Sequence, residues 1–347
     1  MSRLNIKFGI ILDPFRAWDE NPAAVLAHDQ ELIELLEKCG YHYIWRNEQH
    51  SGGHGITSSS DAFADTIARS TGTIRLGNLV SNQSLQYPFS LARRITQLDH
   101  LTHGRLAFCI DPGPLPSEPS ESGIDPINQL DRATEAIKLL MSMLKGEQLS
   151  NVNNGFDINE AQTQFQPYSK PMVDLIVASH LSPAAARIAG TFGLGLLSIN
   201  ATSPGGFNAL ASNWEIYERK AAEHNQVIDR SKWSLAGPVH IAETRRKALD
   251  NVRYGLVSWI NHYQETTRLP IIPDNSKDPA RILVENGLAV IGTPTDAIAQ
   301  IKRLDRQTGG YGCFLQMAHN WADWDQTRKS YELFAEKVVP AFQDHKI

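Results

Sequence analysis

Short runs rich in β-branched and aromatic residues alternate with longer amphipathic segments eight times along the chain. That rhythm restricts the fold more than any other feature of the sequence. Residues 6–12 (IKFGIIL) read as a buried strand. Residues 22–39 then read as a helix, with Val25, Leu26, Leu32, Ile33, Leu35 and Leu36 at helical spacing and Gly40 to end it. Further strands are expected at 42–45, 74–80, 104–110, 172–177, 193–198, 233–241 and 311–317. The helices that follow them are expected at 62–70, 88–101, 126–144, 183–189, 207–224, 244–263 and 323–342. Two segments break the rhythm. Residues 146–171 carry NVNNGF, whose Asn-Gly turn suggests a small hairpin insertion after the fourth helix. Residues 264–286 are polar and proline-rich, and read as a long lid-like loop before the last βα unit.

Eight βα units in series imply a parallel sheet, because a helix must cross over between each pair of parallel strands. In one chain of 347 residues, 41% of them hydrophobic, a single-domain α/β fold closed as a (β/α)8 TIM barrel is expected over 1–347. An open doubly wound sheet is the alternative. No G-x-G-x-x-G follows the first strand, which weighs against its dinucleotide-binding version.

The formal net charge of -5, with no run of like charges and no basic stripe, argues against a nucleic-acid partner. Cys39, Cys109 and Cys313 are too few and too scattered for a disulfide framework or a C-x-x-C zinc set. The apolar start of the chain is cut short by Asp13 and Pro14, so no secretion signal is read, and no stretch has the apolar length of a membrane span. A soluble cytoplasmic protein without a membrane partner is expected.

In a barrel, chemistry gathers at the carboxyl ends of the strands. After the second strand comes IWRNEQHSGGHG, residues 44–55. Glu48, His50 and His54 are zinc-type ligands, but their spacing fits no defined metal motif, and a polar active-site loop is the better reading. No metal is expected. His100 and His103 lie where a helix turns into the fourth strand, and read as capping residues. After the fifth strand, Ser179, His180 and Ser182 precede Pro183 and a helix. Hydroxyls there serve either as an N-cap or as an anion site. A second small-polar turn, 198–206, follows the sixth strand, and the pair of turns favours a phosphate-bearing ligand. Asp111 follows the fourth strand and points to the same side as Cys109. It is either a turn cap or a carboxylate at the barrel mouth.

Together these residues resemble the luciferase-like monooxygenases, close to the limonene-monooxygenase-like branch. The resemblance runs over nearly the whole chain. Its elements include Phe8-Gly9, Glu48 to Ser51, Ile74 to Gly77, Gln97 to Arg105, Pro112-Gly113, Gly123 to Pro126, Gly193 to Ser198, Ala201 to Phe207 and Pro238 to Thr244. The resemblance implies a barrel that binds reduced FMN, reaction of that flavin with dioxygen at C4a, and oxygenation of a small organic substrate. It also implies a separate flavin reductase as functional partner, and a dimer, homo- or heteromeric, formed through helices 62–70 and 88–101. A deazaflavin is known on this fold, but this branch argues for FMN.

Carried over residue by residue, Leu79 and Val80 match a third-strand pair beneath the flavin ring, where members often have a non-prolyl cis peptide. Cys109 and Asp111 match the fourth-strand segment that faces the ring. Ser179, Ser182 and Ser198 match phosphate-side positions. The departures concern the proton. The usual Glu-His-His is here Glu48-Gln49-His50. The first histidine of that motif is the family's candidate base, and an amide such as Gln49 cannot accept its proton. The third-strand end carries Asn82, Gln83, Gln86 and Tyr87 before Pro88, and Asp111 stands where a small residue or cysteine is common. An ionised carboxylate there would repel an anionic reduced flavin. Two readings follow. In the first, the chain is an active enzyme whose base is supplied by His50, Asp111, Tyr87 or His240. In the second, it is a non-catalytic partner subunit of a heterodimer.

Overall fold

The computed structural model describes residues 5–12, 21–48, 57, 59–80, 87–112, 129–153, 156–267, 270–273, 276–318 and 320–343. Eight parallel strands close into one barrel with helices outside it. These are β1 (Lys7–Leu12), β2 (Tyr43–Asn47), β3 (Arg75–Val80), β4 (Leu106–Ile110), β7 (Asp174–Ser179), β8 (Gly195–Ser198), β9 (Trp233–Ile241) and β11 (Cys313–Ala318). They pair in that order, and β11 closes the ring between β9 and β1.

Two layers of side chains hold this barrel. Along β1, Phe8, Ile10 and Leu12 point outward into the large cluster beneath the helices, while Ile11 points inward. The inner cluster contains Ile11, Tyr43, Trp45, Ala107, Cys109, Ile176, Ala178, Leu197 and Leu315. Both faces of each strand are therefore buried, which is why the strands read as near-continuous apolar runs. The Trp45 ring lies across Gly77 on β3, where a Cβ would meet Trp45 Cδ2 at 2.1 Å. Glycine at 77 is thus what lets an indole fill the barrel interior, and Trp45 is 1% exposed.

The helices begin where caps are written. Asn21 accepts from the Ala23 N–H at 2.9 Å to start α1 (Pro22–Lys38). Ser59 accepts from Ala62 N to start α2 (Ser60–Ser70). The next helices are α3 (Pro88–Leu101), α4 (Gln129–Leu144) and α5 (Ala184–Phe192). The one after them, α6 (Pro204–Glu223), begins three residues before its expected start, because Ser203 caps Gly206 at 3.1 Å.

The expected insertion forms an antiparallel hairpin, β5 (Leu149–Asn153) with β6 (Phe156–Ala161). The helix expected at 244–263 is instead two, α7 (Arg245–Val252) and α8 (Leu256–Thr267). They part where Gly255 packs on the next loop: its N–H donates to Trp321 O at 3.1 Å, and a Cβ would lie 2.0 Å from Asn320 O. The loop expected at 264–286 contains a short helix, α9 (Pro279–Glu285), started by Asp278. After it come β10 (Val290–Gly292) and α10 (Pro294–Thr308), to which no element was assigned from the sequence. Here β10 pairs with the far end of β9, and Thr293 and Asp296 form a capping box on α10. The last helix is α11 (Trp324–Lys337). Among the described residues no helix is long and apolar enough to cross a membrane.

Candidate active site

The site is built at the carboxyl ends of β4, β7 and β8. Ala107 and Cys109 face the barrel interior, so strand alternation carries Asp111 to the same side, one step above Cys109. Ala178 faces inward on β7, and the same alternation brings His180 over the mouth. The two meet: His180 Nε2 lies 3.0 Å from Asp111 Oδ2. With a carboxylate accepting, Nε2 is the nitrogen that carries the hydrogen. The Asn200 side-chain amide lies 3.5 Å from the other ring nitrogen, Nδ1.

Partial desolvation of the His180 ring, whose side chain remains 44% exposed, favours its neutral form, but the charge of Asp111 and its hydrogen bond outweigh that and raise the His180 pKa above the ordinary histidine value. The pair also resolves the electrostatic difficulty posed by a carboxylate at position 111. Asp111 is 9% exposed and is matched by an imidazole on the neighbouring strand's loop. Burial and the Asp111 charge push the Cys109 thiol well up, so it stays protonated beneath them.

Beside the pair, Ser179 is fully buried and its Oγ has no hydrogen-bond partner. Ser179 and Ser198 are neighbours in the register of β7 and β8. Ser198 Oγ accepts from Trp233 Nε1 at 3.1 Å in the outer layer, which leaves its own proton to donate. Ser182 is exposed, and its Oγ accepts from Ala184 N at 3.3 Å at the start of α5. The remaining first-turn N–H groups of α5 have no acceptor within the helix.

Tyr87 and His240 make contacts of their own. Tyr87 is 41% exposed, and its hydroxyl donates to the Asp157 carbonyl on the hairpin at 2.5 Å. It ties the insertion to the start of α3 and is not brought to Asp111. His240 is buried against Asn251, 3.1 Å from Nε2, and burial lowers its pKa to about 4. It faces a void of about 10 Å³ bounded by Asn320, Ser330 and Tyr331, apart from the Asp111–His180 pair. Leu79 and Val80 continue β3 in register with Cys109 and Ile110. Among the described residues the cis peptide bond is Lys170–Pro171, not Leu79–Val80. Gln49 and His50 lie outside the described residues, as does His54.

Glu48, which precedes them, is 5% exposed and accepts from Ser60 N at 2.6 Å and Ser60 Oγ at 3.0 Å. Its carboxylate thus ties the end of β2 to the positive end of α2. Arg46 on β2 reaches Asp29 of α1 at 2.7 Å and Thr57 Oγ1 at 2.6 Å. His180 was read from the sequence only as part of an anion-binding turn. Counting the inward positions of β7 past its end (176, 178, 180) is the signal that pairs it with Asp111.

The family model described as luciferase-like monooxygenase matches residues 6–311. The chain is 36% identical over 337 residues to limonene 1,2-monooxygenase of Rhodococcus erythropolis, covering 97% of this chain and 87% of that protein. It is 34% identical over 344 residues to 4-hydroxyprotoasukamycin monooxygenase of Streptomyces nodosus subsp. asukaensis, covering 97% and 92%. Among solved structures, the oxygenating constituent of 3,6-diketocamphane monooxygenase from Pseudomonas putida, in complex with FMN, superposes with a TM-score of 0.78 at 22% identity. That superposition covers 97% of this chain and 99% of that one, and at this identity the likeness speaks for the fold.

Proposed function

The chain belongs to the luciferase-like monooxygenase family, and from that premise we propose that it is the oxygenase component of a two-component system, using reduced FMN and dioxygen on a small organic substrate. A separate reductase supplies the reduced flavin. The observation that carries this reading is Ser179: a buried hydroxyl without a partner at the carboxyl end of β7, in register with Ser198 and followed in the chain by His180 and the start of α5. A buried polar group left unmatched costs about 1–3 kcal/mol. Here it is a partner held ready for a polar ligand group.

The surroundings suit a flavin with its phosphate. Ser179, Ser182 and the first-turn N–H groups of α5 offer neutral donors and positive dipole to the phosphate. Above Trp45 the barrel interior offers an apolar floor to the ring. Reduced FMN, when bound, supplies the electrons that activate dioxygen.

The protein's own part is positional and electrostatic. The Asp111–His180 pair places a proton-bearing imidazole at the mouth, and with that ring protonated the pair carries no net charge. The Trp45 layer closes the barrel from below and excludes water from that side. Glu48 and Arg46 tie the end of β2 to the start of α2, to Thr57 and to α1. One relative is named for limonene, which belongs in the first substrate panel.

Replacing Ser179 and Ser182 together by alanine tests the placement. Each hydrogen bond to a charged group contributes on the order of 1.5–3 kcal/mol, so the double variant is expected to bind FMN well over tenfold more weakly while riboflavin affinity stays nearly unchanged. Equal losses for the two flavins would put the phosphate elsewhere.

A further inference from the structure

The geometry points to His180 as the general acid that holds and delivers the proton at this mouth, with Asp111 as its positioning residue, a role that the amide of Gln49 cannot fill. The inference rests on the oxygenase reading above and deepens it.

Three observations carry it. First, the two side chains come from different strands, β4 and β7, and meet at 3.0 Å on the inward side of both. The contact fixes the ring orientation of a histidine reached from the neighbouring strand. Second, the contact uses Nε2, so Nδ1 is the nitrogen free to exchange a proton. Third, the group beside Nδ1 is the Asn200 amide. Its NH2 matches a neutral ring and its oxygen matches a protonated one, so turning the amide accommodates either state. Among the described residues Asp111 is the charged group acting on His180; the Cys109 thiol beneath is neutral and Asn200 is uncharged.

The proton balance gives the pair its work. An oxygenase that puts one atom of dioxygen into its substrate releases the other as water. Starting from a singly anionic, two-electron-reduced flavin, that water takes up one proton per turnover. His180 Nδ1–H supplies it, the imidazole is left neutral with Nε2–H still on Asp111, and bulk solvent reloads Nδ1. Because its side chain is 44% exposed, His180 can exchange with solvent. General acid–base catalysis of this kind contributes typically about a hundred- to ten-thousand-fold in rate.

The test uses the full chain with no flavin present. Histidine-selective isotope labelling follows the ring signals of wild type, Asp111→Asn, Asp111→Glu and His180→Gln across pH, the last variant assigning the His180 resonance. In wild type His180 is expected to titrate above the ordinary value of about 6.5. In Asp111→Asn it should become more acidic, and Asp111→Glu should restore most of the shift.

A second arm measures oxygen consumption with reduced FMN and limonene. There His180→Gln should lose about a hundredfold or more and flatten the alkaline limb of the pH profile. In Asp111→Asn that limb should move to lower pH in step with the ring titration. A His180 titration that does not respond to Asp111→Asn, or a His180→Gln enzyme with an unchanged pH profile, overturns the dyad. Failure of the oxygenase reading looks different: wild type would not bind reduced FMN, while the ring titrations would still report on the pair.

Discussion

At Asp111 a carboxylate ends an apolar strand and is left 9% exposed, a position where an isolated charge is costly. His180 makes it tolerable, and the arrangement has a pH signature. The His180 pKa is raised in the folded protein by Asp111. A raised pKa means that the pair's contribution to stability is fully present below the ordinary histidine value and is lost as pH rises through the raised one. Urea unfolding of wild type and Asp111→Asn should therefore show a larger stability gap near pH 5.5 than near pH 9. A gap that grows with pH would contradict the ion-pair description. Buried Ser179 tells a similar story with the opposite emphasis: Asp111 has found its partner within the chain, and Ser179 Oγ has not.

At the scale of elements, eight strands and most of the helices were legible because their apolar runs and caps follow simple periods. What escaped has physical reasons. The break between α7 and α8 depends on Gly255 meeting the backbone at Asn320, a contact from far along the chain. The strand β10 has three residues, too few to show a period. By contrast, α10 carries a capping box and a glycine C-cap at Gly309, and its signal was present in the sequence. The geometry of the candidate site was legible in part. Strand alternation places Asp111 above Cys109, but the hydrogen bonds of Tyr87 to the hairpin and of His240 to Asn251 are partners that only the folded chain reveals. The contact of His180 with Asp111 was not legible because the two are neighbours in space and not in sequence.

The fit of Trp45 over Gly77 belongs to the same scale. Gly77→Ala would drive a methyl group into the indole, and overpacking of this kind costs about 1–3 kcal/mol. Thermal unfolding should show a clear loss of Tm. An unchanged Tm would mean that the ring can shift aside without cost.

At the scale of the molecule, we expect a dimer through α2 and α3. Ala62 is exposed on α2, and Ser90 and Leu101 are exposed on α3, small and apolar positions that permit close approach. Light scattering at micromolar concentration should give twice the 38.6 kDa mass of one chain. A single-chain mass would remove the dimer. The family and the closed barrel are common to both earlier readings, active oxygenase and silent partner, and the ability to use reduced flavin separates them.

The most direct measurement of the central claim is therefore an anaerobic titration of the purified single chain with reduced FMN, followed by rapid mixing with oxygenated buffer. Saturable binding, and a reoxidation time course that differs from that of free flavin and is altered by His180→Gln, is the predicted result. A chain that neither binds reduced FMN nor changes its reoxidation would contradict the assignment of this protein as an oxygenase acting on its own.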